Sequence, residues 1–565
     1  MACQAAFLSR FLSPATCGTL IRWQCLAAIP IRRFCQPVTT KRTDINSVAA
    51  FPHLRTYRLL TLCVLTLLCA LFLGGGTHAG FLGDAIAQFA AIPLLLFAIL
   101  RCFSRTSGQV PWGELILCLA ILAVPLLQLV VLPPSIWINL PFRADIADTF
   151  RLTGQEQVWL PLSVMPEATA LAALSLLPPL ALFLAARQLN AQHRRYLVAI
   201  ILLFSGISVF LGLAQIADGP QSSLRFFEVT NPTEAVGFFA NRNHFSALLY
   251  VSLPLAASLA IDAGLTLFEV HARNRLDISQ FITLVASLTL MFLLGSAQIM
   301  ARSRAGATLT IVAMIGVAAL ILVDRRNHAR RFSLQLFAGA IIIVLLFTAQ
   351  FGLNRFAERL VNIDPINDTR LVFARNTLEA ARAYFPFGSG LDTFPTVYAM
   401  FEKPEDLLIN GFANHAHNDF LELWMESGVP GAAILAIAIM WLVWQSLRTW
   451  ARPDRRILPI DQLVARAATI SIGLLLLHSL VDYPLHTAAL MAVLAICGAL
   501  VTEPYPEQEV FLAPDHALPA RMRDRDREIP RLLQISARPP APKVSIDWPE
   551  EHQPEKINWP GPGDV

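Results

Sequence analysis

Two closely spaced histidines are the side chains of this sequence best suited to proton transfer. His415 and His417 precede Asn418 directly, and Glu422 follows about one helical turn later. Imidazole is the side chain that changes its protonation near neutral pH. Asn418 is a good cap for a short helix that would end at Gly428, and the positive end of that helix dipole favours the neutral form of His417. The pattern indicates a site at the start of this helix; the alternative is a pair of solvated loop histidines.

Three arginines form a second group of chemically interesting residues: Arg242, Arg304 and Arg370. A guanidinium group holds phosphate oxygens through two parallel hydrogen bonds and needs no metal ion to do so. The ordinary alternative for an arginine at a helix end is a side chain that reaches toward lipid headgroups. Which of these two interpretations applies depends on the helices that carry the three arginines and on the membrane face where the arginines lie.

The composition identifies the environment in which those elements fold. Of the 565 residues, 55% are hydrophobic and only 15% are charged, whereas about a quarter of the residues in a soluble domain are charged. The nine cysteines lie in the N-terminal arm or inside apolar stretches, so they suggest neither a disulfide framework nor a cysteine-based zinc site. The chain is expected to fold in a membrane, with no metal and no cofactor.

Apolar runs long enough to cross a hydrocarbon core of ~30 Å as helices recur along the chain. They predict an all-α, polytopic membrane protein with about twelve transmembrane helices. The predicted spans are 58–74, 84–102, 113–133, 168–187, 196–216, 243–262, 281–300, 306–323, 332–351, 428–446, 464–481 and 485–503.

Arginines are distributed unevenly between the two sets of loops that join these spans. One set holds most of them, among them Arg101, Arg105, Arg187, Arg194, Arg195, Arg273, Arg275, Arg325, Arg326, Arg330, Arg331, Arg448, Arg452, Arg455 and Arg456. By the positive-inside rule, this set is cytoplasmic, together with both termini. The opposite loops hold few basic residues. Because Arg242 and Arg304 are among those few, they need an explanation other than orientation.

The largest predicted loop, 352–427, leaves the membrane on the outer face between the ninth and tenth spans. A loop of this length is uncommon unless it has a function. Residues 371–382 have the composition and periodicity of a helix, and the turn 386–390 interrupts it.

Two extensions flank the transmembrane region 58–503. The N-terminal arm 1–57 is basic, and the tail 504–565 is rich in proline and in alternating charges. Such a tail cannot bury a core. Both extensions are expected to be flexible and cytoplasmic.

Four segments stand out by their polar residues at span ends: Gly237–Phe245, Ser303–Gly306, His415–Gly428 and Ser479–Leu485. In order and spacing they resemble the motifs of the O-antigen ligase and polymerase family of bacterial envelope glycosyltransferases. Pro386–Phe394 is similar to the Gly-rich turn in the large external loop of that family. The resemblance extends over about 230 to 500 and covers neither tail.

The resemblance implies a GT-C-like membrane enzyme that needs no metal ion. Such enzymes take a glycan from an undecaprenyl diphosphate carrier. They join it to a hydroxyl of the lipid A core, of a growing polysaccharide or, in some relatives, of a protein. The topology agrees, because the motifs lie at the periplasmic face of the inner membrane, where a lipid-linked donor is the natural substrate and no nucleotide sugar is available. No nucleic-acid partner is expected.

The resemblance also suggests a division of labour among the polar residues. His417 would be the base for the acceptor hydroxyl, and Arg304 and Arg242 would stabilise the charge on the diphosphate leaving group. Further residues are candidates for substrate binding: Arg370, His415, Asn418, Glu422, His244 and Asp482. Arg302 departs from the centre of its motif.

Several of these residues also have purely structural interpretations. His244 is equally interpreted as a satisfied residue at the membrane interface. Glu422 and Glu426 either orient the base and bind sugar hydroxyls or form a solvated helix face. Asp482, with Tyr483, fixes the turn between the last two spans.

A transporter or flippase is the competing class, since a predicted count of spans is compatible with either. The span interiors hold almost no charged residues, whereas ion-coupled carriers place such residues near the midplane. An enzyme is therefore favoured. Ligase and polymerase remain open, because they use the same donor and differ only in the acceptor.

The arginine distribution makes a direct prediction about topology. A reporter fused after Lys403 should be active only outside the cytoplasm, and a reporter fused after Arg330 only inside, because the two positions lie in opposite sets of loops. Paired periplasmic and cytoplasmic reporters measure this. The reverse pattern of signals would overturn the placement of the site.

Overall fold

A computed structural model describes residues 52–77, 80–103, 111–227, 231–271, 277–323, 369–407, 412–451 and 459–503. Within these ranges the chain is mostly helical, as predicted. The helices are α1 (Pro52–Leu73), α2 (Leu82–Phe103), α3 (Trp112–Gln128), α4 (Pro134–Trp137), α5 (Ala144–Leu152), α6 (Pro166–Ser175), α7 (Leu177–Arg187), α8 (Ala191–Asp218), α9 (Arg242–His271), α10 (Ile278–Ala301), α11 (Arg304–Val323), α12 (Thr369–Ala383), α13 (Phe394–Ala399), α14 (Asp419–Ala451), α15 (Pro459–His478) and α16 (Ala488–Leu500).

Two short strands and two turns of 3₁₀ helix complete the described chain. Strands β1 (Val131–Leu132) and β2 (Leu160–Pro161) pair antiparallel, with Val131 opposite Pro161. Single turns of 3₁₀ helix lie at Pro404–Asp406 and Pro484–His486.

Most predicted spans coincide with an apolar helix. Among the described residues, eight helices are long and apolar enough to cross a membrane: α2, α6 with α7, α8, α9, α10, α11, α14 and α15. Three shorter apolar helices, α1, α3 and α16, coincide with the predicted spans 58–74, 113–133 and 485–503. The predicted span 332–351 lies outside the described residues, so the total of twelve stays a prediction.

Helix α9 is the centre of the bundle. Its apolar part is 89% buried, compared with 50% or less for the other long apolar helices. It packs against α10, α11 and α15. Small polar side chains form hydrogen bonds between these helices: Ser246 donates to Gln298 on α10 at 2.5 Å, and Ser471 on α15 donates to the backbone oxygen of Val251 at 2.8 Å. These contacts fix the helices around the start of α9, where Arg242 lies.

The two groups of arginines lie at opposite ends of the bundle. At one end, Arg187 pairs with Glu114 at 2.9 Å and Arg195 with Asp461 at 2.7 Å, next to the start of α8. Helix α8 has 28 residues, a length of about 42 Å at 1.5 Å per residue. At its far end, Gln215 donates to the backbone oxygen of Gly237, five residues before Arg242. The separation predicted from the sequence is therefore present, while the face toward which each end points stays a prediction.

The large loop between predicted spans builds a small core of its own. Phe373 on α12, Phe394 and Tyr398 on α13 and Met425 on α14 are buried against one another. Helix α12 covers the predicted helix 371–382 and confirms it. Residues 352–368 and 408–411 of this loop lie outside the described residues.

Helix α14 joins this small core directly to an apolar helix that is long enough to span a membrane. The side-chain oxygen of Asn418 accepts from the backbone N–H groups of Phe420 and Leu421 at 3.1 and 3.0 Å, as predicted for the cap. At Gly428 the backbone has φ +56° and kinks, and the chain then continues as helix to Ala451. A Cβ at Gly428 would lie 2.1 Å from the backbone oxygen of Pro386. The kink therefore requires glycine.

The extensions are described only in part. Residues 1–51 and 504–565 lie outside the described ranges, and α1 begins at Pro52, inside the predicted arm 1–57. The prediction that both extensions are flexible is not tested.

Gly306 sets the distance between α11 and the central helix. A Cβ at this position would lie 1.7 Å from Ser246 Oγ on α9. We therefore expect Gly306→Ala to lower the melting temperature of the purified protein, with an overpacking cost of about 1–3 kcal/mol.

Gly473→Ala on α15 is the matched control, because a Cβ there would meet no atom within 4 Å among the described residues. Its melting temperature should equal or exceed that of the wild type. Equal melting temperatures for Gly306→Ala and Gly473→Ala would show that this contact does not limit packing.

Candidate functional site

Segments from distant parts of the chain meet at the end of the bundle that carries Arg242. Asp482, in the turn between α15 and α16, contacts His417 before α14, Asn243 in the first turn of α9 and Arg370 at the start of α12. The backbone N–H of Asp419 also donates to the backbone oxygen of Ser479 at 2.9 Å. The structure thus brings together residues that the sequence spreads over 240 positions.

One pair of side chains suited to acid-base chemistry is His417 and Asp482. His417 Nδ1 lies 3.0 Å from Asp482 Oδ1. The Asp482 side chain is fully buried and the His417 side chain is 21% exposed. An ionised carboxylate can only accept, so Nδ1 carries the proton and Nε2 of the neutral ring keeps its lone pair. Nε2 makes no hydrogen bond within the described part of the chain, so it can accept a proton from a bound hydroxyl.

The buried carboxylate of Asp482 is stabilised in its charged form. Burial alone would raise the pKa of this carboxyl group, but the hydrogen bond from His417 and the electrostatic attraction of the surrounding histidines outweigh burial and hold the pKa well below its ordinary value. The backbone N–H of Tyr483 adds a hydrogen bond to Oδ1 at 3.0 Å. Asp482 therefore stays ionised and fixes both the tautomer and the orientation of His417.

The backbone and two aromatic rings also hold His417 in place. Its φ is +51°, in the left-handed region that costs an ordinary residue about 1–2 kcal/mol. Its ring stacks on Phe373 at a centroid distance of 5.8 Å and meets the edge of Tyr483 at 4.8 Å. Strain of this kind persists where the surroundings determine the position of a side chain.

Beside this pair lies a small cavity rich in arginine. It has a volume of about 60 Å³, and its walls are formed by Arg242, Asn243, Arg302, Arg304, Ala305 and Arg370. Arg242 begins α9, Arg304 begins α11, and Arg302, with φ +49°, ends α10 in a left-handed conformation. Four guanidinium groups carried by helix ends therefore line the same cavity.

One buried acid organises part of this positive cluster. Glu234 Oε1 pairs with Arg242 at 2.9 Å and lies 4.0 Å from Arg302. Arg304 is exposed and makes no ion pair within the described residues. Four guanidinium groups against Glu234 and the more distant Asp482 leave an excess of positive charge, which suits a phosphate or diphosphate group.

The cavity and the histidine share Asp482. Its Oδ2 accepts from the side-chain amide of Asn243 at 2.5 Å and lies 3.5 Å from the Arg370 guanidinium, while its Oδ1 faces His417. An anion in the cavity would therefore lie next to a residue able to accept a proton. The structure thus brings the two predicted groups of residues, the arginines and the histidine, next to each other.

His415 has surroundings unlike those of His417. Its Nδ1 lies 2.7 Å from Glu422 Oε1, and its Nε2 donates to the backbone oxygen of Thr77 at 2.9 Å. His486 approaches the same Glu422 oxygen through Nε2 at 3.2 Å. Both nitrogens of His415 are engaged and its side chain is 4% exposed, so His415 is poorly placed to receive a proton from a substrate.

The remaining sequence candidates lie near the site but face inward. His244 is fully buried against the ring of Tyr483 at 4.9 Å. Asn418 caps α14 and donates to the backbone oxygen of Leu480 at 3.0 Å. Glu422 and Glu426 are buried, so the solvated helix face considered for them is wrong. That His244, Asn418 and Glu422 contact substrate stays a prediction.

Sequence reasoning missed several residues of the site. Glu234, Asn243 and His486 were not considered, and Arg302 was set aside because it departs from the centre of its motif. Asn243 lies inside the segment Gly237–Phe245, so a polar residue at that position was a usable signal. Glu234 and His486 gave no such signal, because their partners are distant in sequence.

Comparison with known families supports the resemblance. Residues 289–436 match the family model described as O-antigen ligase, a part of the chain that includes Arg304, Arg370 and His417. No curated protein matches the chain. The apolar helices indicate a multi-pass membrane protein, and residues 289–436 are similar to an O-antigen ligase domain.

The lowered pKa of Asp482 predicts acid sensitivity. A carboxyl group with a depressed pKa in the folded state stabilises the fold above its unfolded pKa of about 3.9 and loses that contribution as pH falls further. The melting temperature of the wild type should therefore drop below about pH 4, and Asp482→Asn should show a shallower drop.

His417→Ala is the companion variant, because it removes the hydrogen bond that lowers this pKa. The double variant should show less than the sum of the two single effects. Additive effects, or an unchanged acid transition in Asp482→Asn, would mean that the pair contributes nothing to stability.

Proposed function

We propose that this protein is a periplasmic-face membrane glycosyltransferase that moves a glycan from undecaprenyl diphosphate to an acceptor hydroxyl. The observation that carries the proposal is the position of the four-arginine cavity next to His417, with Asp482 bonded to both. The arginines bind an anion and His417 accepts a proton, as this transfer requires. The family match at 289–436 supports the same reaction class.

The arginine cavity serves the donor. When the bond between the anomeric carbon and the diphosphate oxygen breaks, negative charge builds up on the leaving diphosphate. Fixed guanidinium groups stabilise that charge without reorganising. Arg242 is held by Glu234, while Arg304 makes no ion pair among the described residues and keeps its charge for the ligand. No metal ion is needed at the diphosphate, because the arginines neutralise it.

His417 serves the acceptor. As the acceptor oxygen forms its bond to the anomeric carbon, its proton moves to Nε2 of His417, and undecaprenyl diphosphate leaves. The ring becomes an imidazolium ion, which the buried Asp482 carboxylate stabilises through Nδ1. The proton then returns to solvent or to the leaving diphosphate.

The location of the site supports a lipid-linked donor. The site lies at the end of the bundle opposite Arg187 and Arg195, and loops rich in arginine are cytoplasmic by the positive-inside rule. The periplasm offers no nucleotide sugars. A lipid carrier anchored in the outer leaflet brings its diphosphate to the height of Arg242 and Arg304, at the ends of membrane helices.

A flippase for lipid-linked glycans is the alternative, because it too would bind a diphosphate. An oriented His–Asp pair with a ring nitrogen available for a proton gives transfer chemistry a role that flipping does not need. The acceptor is a separate question: lipid A core, growing polysaccharide and protein each offer a hydroxyl. The glycolipid profile of a strain lacking the chain distinguishes them. Uncapped core, single-repeat products or lost secreted polysaccharide would each indicate a different acceptor.

Arg304→Lys tests the donor half of the site. Lysine keeps the charge but loses the planar fork that binds two phosphate oxygens, so transfer should fall strongly while the protein stays in the membrane. The assay measures donor binding and glycan transfer at matched protein levels. Arg375→Lys is the control, because Arg375 pairs with Asp406 outside the cavity. Wild-type transfer by Arg304→Lys would exclude a bidentate role for this arginine.

His417→Ala tests the acceptor half. Loss of the base should reduce transfer by about 10²- to 10⁴-fold with donor binding nearly intact. Asp482→Asn should also reduce transfer, because an amide can no longer fix the proton on Nδ1. His193→Ala, at the other end of the bundle, should transfer at the wild-type rate.

His415→Ala separates the two histidines and should have the milder effect. If His417→Ala transfers normally while His415→Ala does not, the base is His415. If both variants transfer normally, neither histidine is the base.

A further inference from the structure

Three side chains beside the site, His415, Glu422 and His486, have no role in the proposed transfer. Their ligand atoms lie within 4.8 Å of one another. Glu422 Oε1 is 2.7 Å from His415 Nδ1 and 3.2 Å from His486 Nε2. His415 and Glu422 are buried, and His486 is 27% exposed. The cluster is therefore deep but reachable from solvent.

The opposite nitrogen of each ring is already committed. His415 Nε2 faces the backbone oxygen of Thr77 at 2.9 Å, and His486 Nδ1 faces Asp419 Oδ1 at 2.8 Å. Both oxygens are acceptors, so both of these nitrogens carry a proton. In a neutral ring, the nitrogen that faces Glu422 then holds a lone pair. Two lone pairs directed at one carboxylate oxygen repel it unless cations lie between them.

Protons or one metal ion could supply the missing positive charge. Two protons would convert both rings to imidazolium ions with centroids only 4.3 Å apart, facing the carboxylates of Glu422 and Asp419. A single divalent ion leaves both rings neutral and places the charge between the two nitrogens and the carboxylate. It satisfies all three ligand atoms at once, which favours the metal ion.

The ring nitrogens of His415 and His486 that face away from Glu422 make the contacts typical of metal-binding histidines. A ligating histidine commonly donates its other N–H to a carboxylate or a backbone carbonyl, which fixes the tautomer and the ring. His486 does so to Asp419, whose Oδ2 accepts from Ser479 Oγ at 2.6 Å. His415 does so to Thr77. The second Glu422 oxygen accepts from the backbone N–H of Ala416 at 2.7 Å.

We propose that His415, Glu422 and His486 bind one divalent transition-metal ion, and that Zn²⁺ fits this set of two imidazoles and one carboxylate best. Three protein ligands leave one position of a tetrahedral ion for water. Bond lengths near 2.0–2.1 Å separate tetrahedral ligands by about 3.3 Å. The distance of 3.2 Å from His486 Nε2 to Glu422 Oε1 meets this value, and His415 Nδ1 has to move about half an ångström away from Glu422. The two nitrogens, which lie within 4.8 Å of each other, have to approach by up to about 1.5 Å.

The ion would have a positioning role and would take no part in the bond changes of the proposed transfer. The ring of Tyr483 lies between the two histidines, 4.3 Å from His415 and 4.8 Å from His417. A metal ion on the His415 side would join the segment before α14 to the 3₁₀ turn Pro484–His486. It would thereby fix Tyr483, and through it His417, without contacting substrate.

Metal content measures this proposal independently of transfer. The full chain, purified in lipid nanodiscs with an affinity tag free of histidine, is dialysed against Zn²⁺ and then against metal-free buffer, and zinc is measured by mass spectrometry. One Zn²⁺ per chain is expected. Co²⁺ in place of Zn²⁺ should give the visible absorption bands of a tetrahedral site.

Matched variants locate the ion. Glu422→Gln and His486→Ala should lose it, whereas Glu426→Gln should retain it, because Glu426 is buried on the same helix but outside the cluster. Asp419→Asn, which removes only an outer contact, should weaken Zn²⁺ binding by about 10- to 100-fold. Absence of Zn²⁺ and Co²⁺ binding by the wild type would overturn the proposal and leave protons as the cations. Wild-type zinc content in Glu422→Gln or His486→Ala would also overturn it.

Discussion

A fully buried carboxylate governs the arrangement of this end of the bundle. Asp482 is removed from water, and an ion in that position is stable only if surrounding groups replace its hydration. The replacements come from His417, Asn243, Arg370 and its own neighbour Tyr483. These residues belong to different helices and loops. Satisfying one charge therefore draws the arginine cavity and the histidine to the same place.

The need of buried carboxylates for partners also gives different surroundings to two histidines that look alike in the sequence. His415 and His417 are two positions apart, yet one faces a buried glutamate and a backbone oxygen while the other keeps a nitrogen available. His417 has a left-handed φ, whereas His415 does not. Residue type alone cannot distinguish them, because the difference lies in the partners.

The predictable parts of the structure are those determined locally. Helix α12, the Asn418 cap and the break at Gly428 followed from periodicity and from residues close in the chain. The apolar spans followed from composition. Among the arginines, Arg242 and Arg304 attracted attention because they lie on the side that lacks basic residues. All of these signals lie within a few turns of the residues that produce them.

The parts that could not be predicted depend on distant partners. Asp482 was interpreted as a turn residue or a substrate ligand, and its bond to His417 spans 65 positions. Glu234 lies in a loop without a helical or motif signal, and its role is defined by Arg242 and Arg302. Glu422 has the spacing of an exposed helix face, yet it is buried because His415 and His486 fold over it.

The kink at Gly428 has a mechanical consequence. The nine residues from Asp419 to the kink form about 14 Å of rigid helix at 1.5 Å per residue, and the same helix then enters the membrane without a linker. His417, which lies two residues before this helix, is therefore held at a set distance from the apolar part of α14. In the proposed transfer an acceptor would have to present its hydroxyl at that distance, so α14 would act as a molecular ruler that selects acceptors by how far they project from the lipid surface.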